Sequence, residues 1–256
     1  MHHKKRSVII DSWIVFKRCL LITFRNPEAL LSSIILPFII MLLFTAILGT
    51  TADIKGFNYV DFIVPGIILQ SIGQASQYSA MNVANDMTKG IIDRFRTMSI
   101  SKSAVIIGHT GAGIIRNTIS TIIIIGTAFI LGFRPQADFW GWCTVVGLLI
   151  LVNIAISLLS VLCGLIAKSA EGSISLMLPF FILPFISSGF APVATMGSGI
   201  RWFAENQPMT PIIDSIRSLT LDLPLDNSLV IALVWCVGTI IVAYFVSLQV
   251  YKRKVS

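Results

Sequence analysis

Six uncharged runs, each long enough to cross a bilayer, dominate this chain of 256 residues. A helix needs roughly 17–25 apolar residues to span the hydrocarbon core. The runs cover residues 29–48, 62–85, 117–133, 139–167, 173–190 and 227–251. The helix of the third is expected to begin earlier, near Ser103, and the fifth is the spanning part of a longer, interrupted stretch. Only 12% of the residues are charged and 55% are hydrophobic, whereas an average soluble domain is roughly 25% charged. So short a chain has no interior large enough to hide that surface, and lipid must be the solvent for much of it. The expected fold class is an all-α integral membrane protein, with residues 1–256 forming a single transmembrane domain.

The formal net charge of +7 suggests nucleic acid only until its distribution is followed. Short cytoplasmic loops collect Lys and Arg. An even number of spans places both termini on one side. With the termini inside, the inner residues are Lys4, Lys5, Arg6, Lys17, Arg18, Arg25, Lys89, Arg94, Arg96, Lys102, Lys168, Lys252, Arg253 and Lys254, 14 of the 19 Lys and Arg. Lys55, Arg134, Arg201 and Arg217 fall outside, and Arg116 lies within or near a span. The charge therefore orients the chain in the plasma membrane, with both termini cytoplasmic, and points to no nucleic-acid partner. Before the first span, Trp13, Phe16, Leu20 and Phe24 alternate with Lys17, Arg18 and Arg25. Residues 7–26 read as an amphipathic helix in the inner interface, ended by Pro27.

The densest internal charge cluster lies between the second and third spans, in NDMTKGIIDRFRTMSIS, residues 85–101. At 100° per residue, Met87, Ile91, Phe95 and Met98 form one narrow stripe, with Lys89, Asp93 and Arg96 on the far side. This pattern predicts a short amphipathic cytoplasmic helix. It fits a helix resting on the membrane, and it fits a lever docked into a partner.

The spans are poor in chemistry. No G-x-x-x-x-G-K-[ST] motif occurs, so the chain has no P-loop of its own for ATP. No facing ligand or nucleophile clusters suggest catalysis, and His2, His3, His109 and the four cysteines show no metal spacing. No catalytic residue, cofactor or metal is expected. The second span is unusually polar. Gln70, Ser71, Gln74, Gln77, Tyr78, Asn82 and Asn85 share roughly 140° of its wheel. Interhelical hydrogen bonding explains such a face, and so does a translocation path or dimer seam; Gln70, Gln74, Gln77 and Tyr78 are the candidate path residues. Arg116 is expected to snorkel toward headgroups. The fifth run is broken by Pro179 and Pro184. After it, Arg201 and Glu205 are spaced by four and Asp214 and Arg217 by three, which suits two short helices split at Pro208 and Pro211.

Six spans, an amphipathic first helix, the charged cytoplasmic stretch and two short segments together resemble the permease subunits of ABC-2 type transporters, in their daunorubicin-exporter-like branch. The segments are MSISKSA (98–104) and ENQPMTPIIDSIRSL (205–219). The likeness covers essentially the whole chain, with Ser99 where a proline is common. It implies a permease without an ATPase domain, paired with a separate ABC ATPase subunit and with a second permease copy, as homodimer or heterodimer. It makes residues 86–101 a coupling helix, with Met87, Ile91, Arg94, Phe95 and Met98 contacting the ATPase. It makes residues 191–222 an outer re-entrant hairpin that includes Glu205, Asn206, Gln207 and Pro208. The implied function is export of an amphipathic drug, antibiotic or peptide. Export of a lipid or lipid-linked polysaccharide, and a non-transporting anchor or immunity protein that recruits an ATPase, are the alternatives.

Overall fold

The computed structural model describes residues 8–49, 58–91 and 101–255, and all regular structure among them is helical. Among the described residues the α-helices are, in order, α1 (Val8–Arg25), α2 (Pro27–Leu48), α3 (Tyr59–Thr88), α4 (Lys102–Ile130), α5 (Phe139–Ile166), α6 (Ala170–Ile182), α7 (Ser198–Asn206), α8 (Met209–Thr220) and α9 (Ser228–Val255). Short 3-10 turns occupy Leu183–Ile186 and Val193–Thr195. Three stretches among the described residues are helical, long and apolar enough to cross a membrane: Ser103–Ile130, Phe139–Ile166 and Ser228–Lys254. Shorter apolar helical stretches run through Leu31–Ile47 and Ala170–Ile186. These elements make the chain an integral membrane protein.

The bundle is built around α3, which packs against α2, α4, α5 and α6. Every residue from 59 to 73 is buried. Lipid tails are as apolar as leucine, so packing in a membrane rests on close contact and polar pairing rather than on a hydrophobic drive. Glycine supplies the close contact. A Cβ on Gly66 would stand 2.7 Å from the Gly189 Cα, so α3 and the chain after α6 touch backbone to backbone. By contrast α9 lies at the periphery, with Val230, Val234 and Val242 all exposed by more than 60%.

The fifth run does not form one spanning helix over 173–190. The α-helix ends at Ile182 and tightens into the 3-10 turn. Its 13 residues reach only about 20 Å at 1.5 Å per residue. Pro184 has no N–H to continue the ladder.

Residues 86–101 need a second correction. Asp86, Met87 and Thr88 belong to the last turn of α3, not to a separate helix. Nothing before Gly90 breaks the helix, and Gly90, at φ 67°, is the first residue that takes the left-handed conformation at low cost. Arg94, Phe95 and Met98 lie outside the described residues.

In the 191–222 region the helices part at Gln207 and Pro208 alone. Pro211 falls in the first turn of α8, where a missing N–H is not needed.

The first helix does not stand apart. It runs lengthwise along the first half of α4, in the same direction. Asp11 accepts from the Ser101 N–H, Val15 abuts Gly108, the Cys19 thiol meets His109 and Thr23 meets Arg116. A Cβ on Gly108 would stand 2.6 Å from Val15 and 2.9 Å from the Phe16 backbone nitrogen, so glycine permits this docking. The outer side of α1 stays apolar and exposed at Ile9, Ile10, Trp13 and Phe24, as an interfacial helix requires.

Candidate functional site

Three helices are tied together at the end of α3. The Asp86 carboxylate is buried and accepts from both Arg18 guanidinium nitrogens, at 2.5 and 2.9 Å. Paired nitrogens on one carboxylate make a strong, directional contact. His109 Nε2 of α4 lies 3.3 Å from the same carboxylate, and the Cys19 Sγ sits 3.5 Å from His109 Nδ1. The Asp86 hydrogen bond holds the Arg18 guanidinium above its usual value, so its charge is permanent. The end of α3 is thus tied to both α1 and α4. One turn beyond, Met87 and Ile91 are half-buried against an apolar cluster that includes Val15, Cys19, Val83 and Val105. The start of the predicted coupling stripe is therefore turned inward. Asp11 adds a further tie: buried, it accepts from the N–H at the start of α4, where a carboxylate is favoured by the helix dipole.

About 10 Å deeper, seven residues back along α3 at 1.5 Å each, lies Arg116. It does not snorkel. It is 3% exposed and donates to the Ser79 hydroxyl at 3.0 Å and to the Thr23 hydroxyl. Docking of α1 covers the flank of α4 through which the side chain was expected to leave. Beside it Asn117 donates to Ser76 and Ser157, and Asn153 to Thr118, forming a polar seam among α3, α4 and α5.

The candidate path residues do not form one open face. Gln70 is fully buried and its amide finds no partner among the described residues, Gln77 is buried, Gln74 is half-buried, and Tyr78 bonds Ser32 of α2.

At the opposite end, the broken chain after α6 is held by side chains. Gln207 donates to the Leu183 and Ile186 carbonyls. Arg217 donates to the Phe62 and Ser188 carbonyls and to Asp214, with its guanidinium 3.9 Å from the centre of the Phe62 ring. Tyr59 donates to the Phe190 carbonyl. Glu205 and Asn206 face outward: Glu205 pairs with Arg201 at 2.8 Å, Asn206 bonds its own helix, and Pro208 caps α8. Sequence reasoning left Asp86 inside the cytoplasmic charge cluster without a partner, found no metal spacing around His109, and gave Arg217 only a local partner. A carboxylate in a nearly uncharged helix was the one available signal.

The described residues thus form a helical membrane bundle with charged joints at both ends. The family model for ABC-2 type transporters matches residues 11–221, and the chain belongs to that family. It is 25% identical to a daunorubicin resistance ABC transporter permease protein, DrrB1, of Streptomyces coeruleorubidus, over 89% of this chain and 81% of that one. It is 23% identical to the probable doxorubicin resistance permease DrrC of Mycobacterium tuberculosis, over 91% and 84%. It is also 26% identical to the inner membrane transport permease YadH of Escherichia coli, over 81% and 84%. The chain is thus a membrane permease of the ABC class, a class whose permeases work with an ABC ATPase.

Proposed function

We propose that this chain is the membrane-spanning subunit of an ATP-driven exporter in the plasma membrane. It moves an amphipathic compound such as a drug, antibiotic or peptide outward, and a separate ATPase subunit supplies the energy. The match to the ABC-2 family over residues 11–221 carries this reading, and relatives named for daunorubicin and doxorubicin resistance support the cargo class. The termini are cytoplasmic, six segments cross the bilayer with α6 and its 3-10 turn as the fifth, and residues 191–222 form an outer re-entrant hairpin. Two copies and two ATPases make the working unit.

The joint at Asp86 gives the drive a route. Nucleotide-driven closure must displace an element that the two states grip differently. The end of α3 and the residues that follow it to 101 are that element, with Arg94, Phe95 and Met98 as the ATPase contact and with Met87 and Ile91 packed back onto the bundle. A push there reaches α3 directly, α1 through Arg18 and α4 through His109. Coexpression with the candidate ATPase tests this. Phe95→Asp should abolish copurification and leave membrane insertion intact. ATP-driven efflux from reconstituted vesicles should fall to background in the same variant. Unchanged complex formation together with unchanged efflux would overturn the coupling role.

A further inference from the structure

The polar seam among α3, α4 and α5 holds more acceptors than donors. Asn117 spends its amide N–H groups on the Ser76 and Ser157 hydroxyls, and Asn153 donates to Thr118. Both amide oxygens are left over. Neither finds a donor among the described residues, and the hydroxyls of Ser120 and Thr121 have no partner there either. All four side chains are at most 7% exposed. Buried polar groups in a folded protein are satisfied, and each exception asks for a cause.

Register brings the four together. Helices α3 and α4 run antiparallel, through the pairs Asp86–His109, Ser79–Arg116 and Ser76–Asn117. Helix α5 runs parallel to α3: Asn117 joins Ser76 to Ser157, and a Cβ on Gly164 would meet Ala80 and Val83. From Asn117, the step forward along α4 to Ser120 and Thr121 and the step back along α5 to Asn153 therefore point the same way. Four residues cover about 6 Å at 1.5 Å each, so the unmet oxygens share one short segment of the seam. On α4 they lie within an arc of about 100° at 100° per residue, and Ile122, on the other side, is exposed.

Chemistry decides what fits there. An amide oxygen accepts and cannot donate, so the guest must bring donors or positive charge. A cation meets Arg116, next to Asn117 in the chain, which is 3% exposed and whose partners are the Thr23 and Ser79 hydroxyls. Hydroxyls solvate a guanidinium without neutralising it, so a second cation close by is disfavoured. An anion gains nothing from a ring of acceptors. Water brings two donors and accepts from hydroxyls, and it is small enough to stand among serines and threonines. A buried water typically makes about three hydrogen bonds to groups the protein leaves unmet.

We infer that ordered water occupies this segment of the seam, donating to the Asn117 and Asn153 amide oxygens and accepting from the Ser120 and Thr121 hydroxyls. Part of the contact between α4 and α5 is then carried by water. Such a bridge is nearly as good as a direct bond, and it can change partners while both helices stay whole. This does not depend on what the protein exports.

The full chain, purified and placed in nanodiscs, tests the site by radiolytic hydroxyl labelling, which oxidises a buried side chain where water stands beside it. Ile72, level with Thr121 in the antiparallel register, and Ile124, one turn past Ser120, report on the seam. Ile63 and Ile213 are controls of the same side-chain chemistry, and all four are at most 1% exposed. Ile72 and Ile124 should be labelled and the controls should stay silent. Thr121→Val keeps the side-chain shape and removes one partner of the water. It should lower the melting temperature by about 2–4 °C and reduce the labelling of Ile72. Were the hydroxyl simply unmet, valine would relieve its burial and the melting temperature would hold or rise. That result overturns the inference, and so does silence at Ile72 and Ile124 equal to that of the controls. Sodium chloride and choline chloride should give the same melting temperature. A rise in sodium alone, lost in Thr121→Val, would make the guest a sodium ion, and the water assignment fails.

Discussion

The two ends of the bundle are fastened by different chemistry. At the end of α3 the fastening runs from side chain to side chain: Arg18 and His109 converge on Asp86 from two other helices. At the opposite end it runs from side chain to backbone: Arg217 holds the Phe62 and Ser188 carbonyls, and Gln207 holds those of Leu183 and Ile186. A side-chain joint can exchange partners while each helix stays whole. A carbonyl clamp cannot, because the Leu183, Ile186 and Ser188 carbonyls lie at or beyond the broken helix end and have no helical partner to fall back on. The first arrangement suits a hinge and the second a fixed cap.

Arg217 is therefore the position where the largest loss is expected. Arg217→Met keeps much of the side-chain volume but leaves the Ser188 carbonyl unmet, at about 1–3 kcal/mol, removes a second bond from the Phe62 carbonyl and the partner of Asp214, and deletes the cation over Phe62. We expect a cost of about 4 kcal/mol in total, read as a large fall in the melting temperature of the detergent-solubilised protein. A mild effect would show that the Arg217 end is not a rigid clamp.

Asp86→Asn comes next. The amide retains the shape but loses the charge that two donors share, at a cost of about 2–3 kcal/mol. The loss should be local. Hydrogen exchange should quicken in α1 while α7 and α8 keep their protection. Arg18→Gln should do less, because Arg18 is partly exposed and His109 still reaches the carboxylate. Equal loosening at both ends would remove the distinction between hinge and cap.

Glycine separates packing from charge at the Asp86 end. Gly108→Ala drives a methyl into Val15 and the Phe16 backbone and should cost about 1–3 kcal/mol through overpacking. Gly126, in the same helix, has open space around it, so Gly126→Ala should be neutral or stabilise by about 0.5–1 kcal/mol. Thermal unfolding of the two variants side by side checks this. If they behave alike, α1 is not docked on α4 as described.

What the sequence made legible was whatever depends on one segment at a time. The long runs gave α2, α4, α5 and α9 within a few residues, and the basic alternation gave α1. The break after α6 followed from Pro184, whereas Pro179, expected to break the run as well, lies inside the helix. The misses are matters of pairing between segments. Met87 and Ile91 sit on a clean helical stripe, but a stripe does not say whether its neighbour is a partner protein or the chain's own α1. Arg116 was expected to reach lipid headgroups because nothing in its own helix stops it; what stops it is Thr23, 93 residues earlier. Arg217 showed its local partner Asp214 and hid the carbonyl of Phe62, 155 residues away.

The smallest effects should separate neighbours within the motif ENQP, which sequence reasoning treated as one unit. Gln207 is buried and serves two carbonyls. Gln207→Ala should cost about 1–2 kcal/mol, because a partner group is left unmet in a place water reaches poorly. Glu205 is exposed and only pairs with Arg201 on its own helix. Glu205→Ala should change stability by less than about 0.5 kcal/mol, and raising the salt concentration should erase even that. Melting temperatures at low and high salt measure both. Loss of efflux in Glu205→Ala with stability unchanged would then place Glu205 in the transport step, since no structural role is left for it. Loss of stability in Glu205→Ala would mean that the cap reaches further toward the surface than its carbonyl contacts.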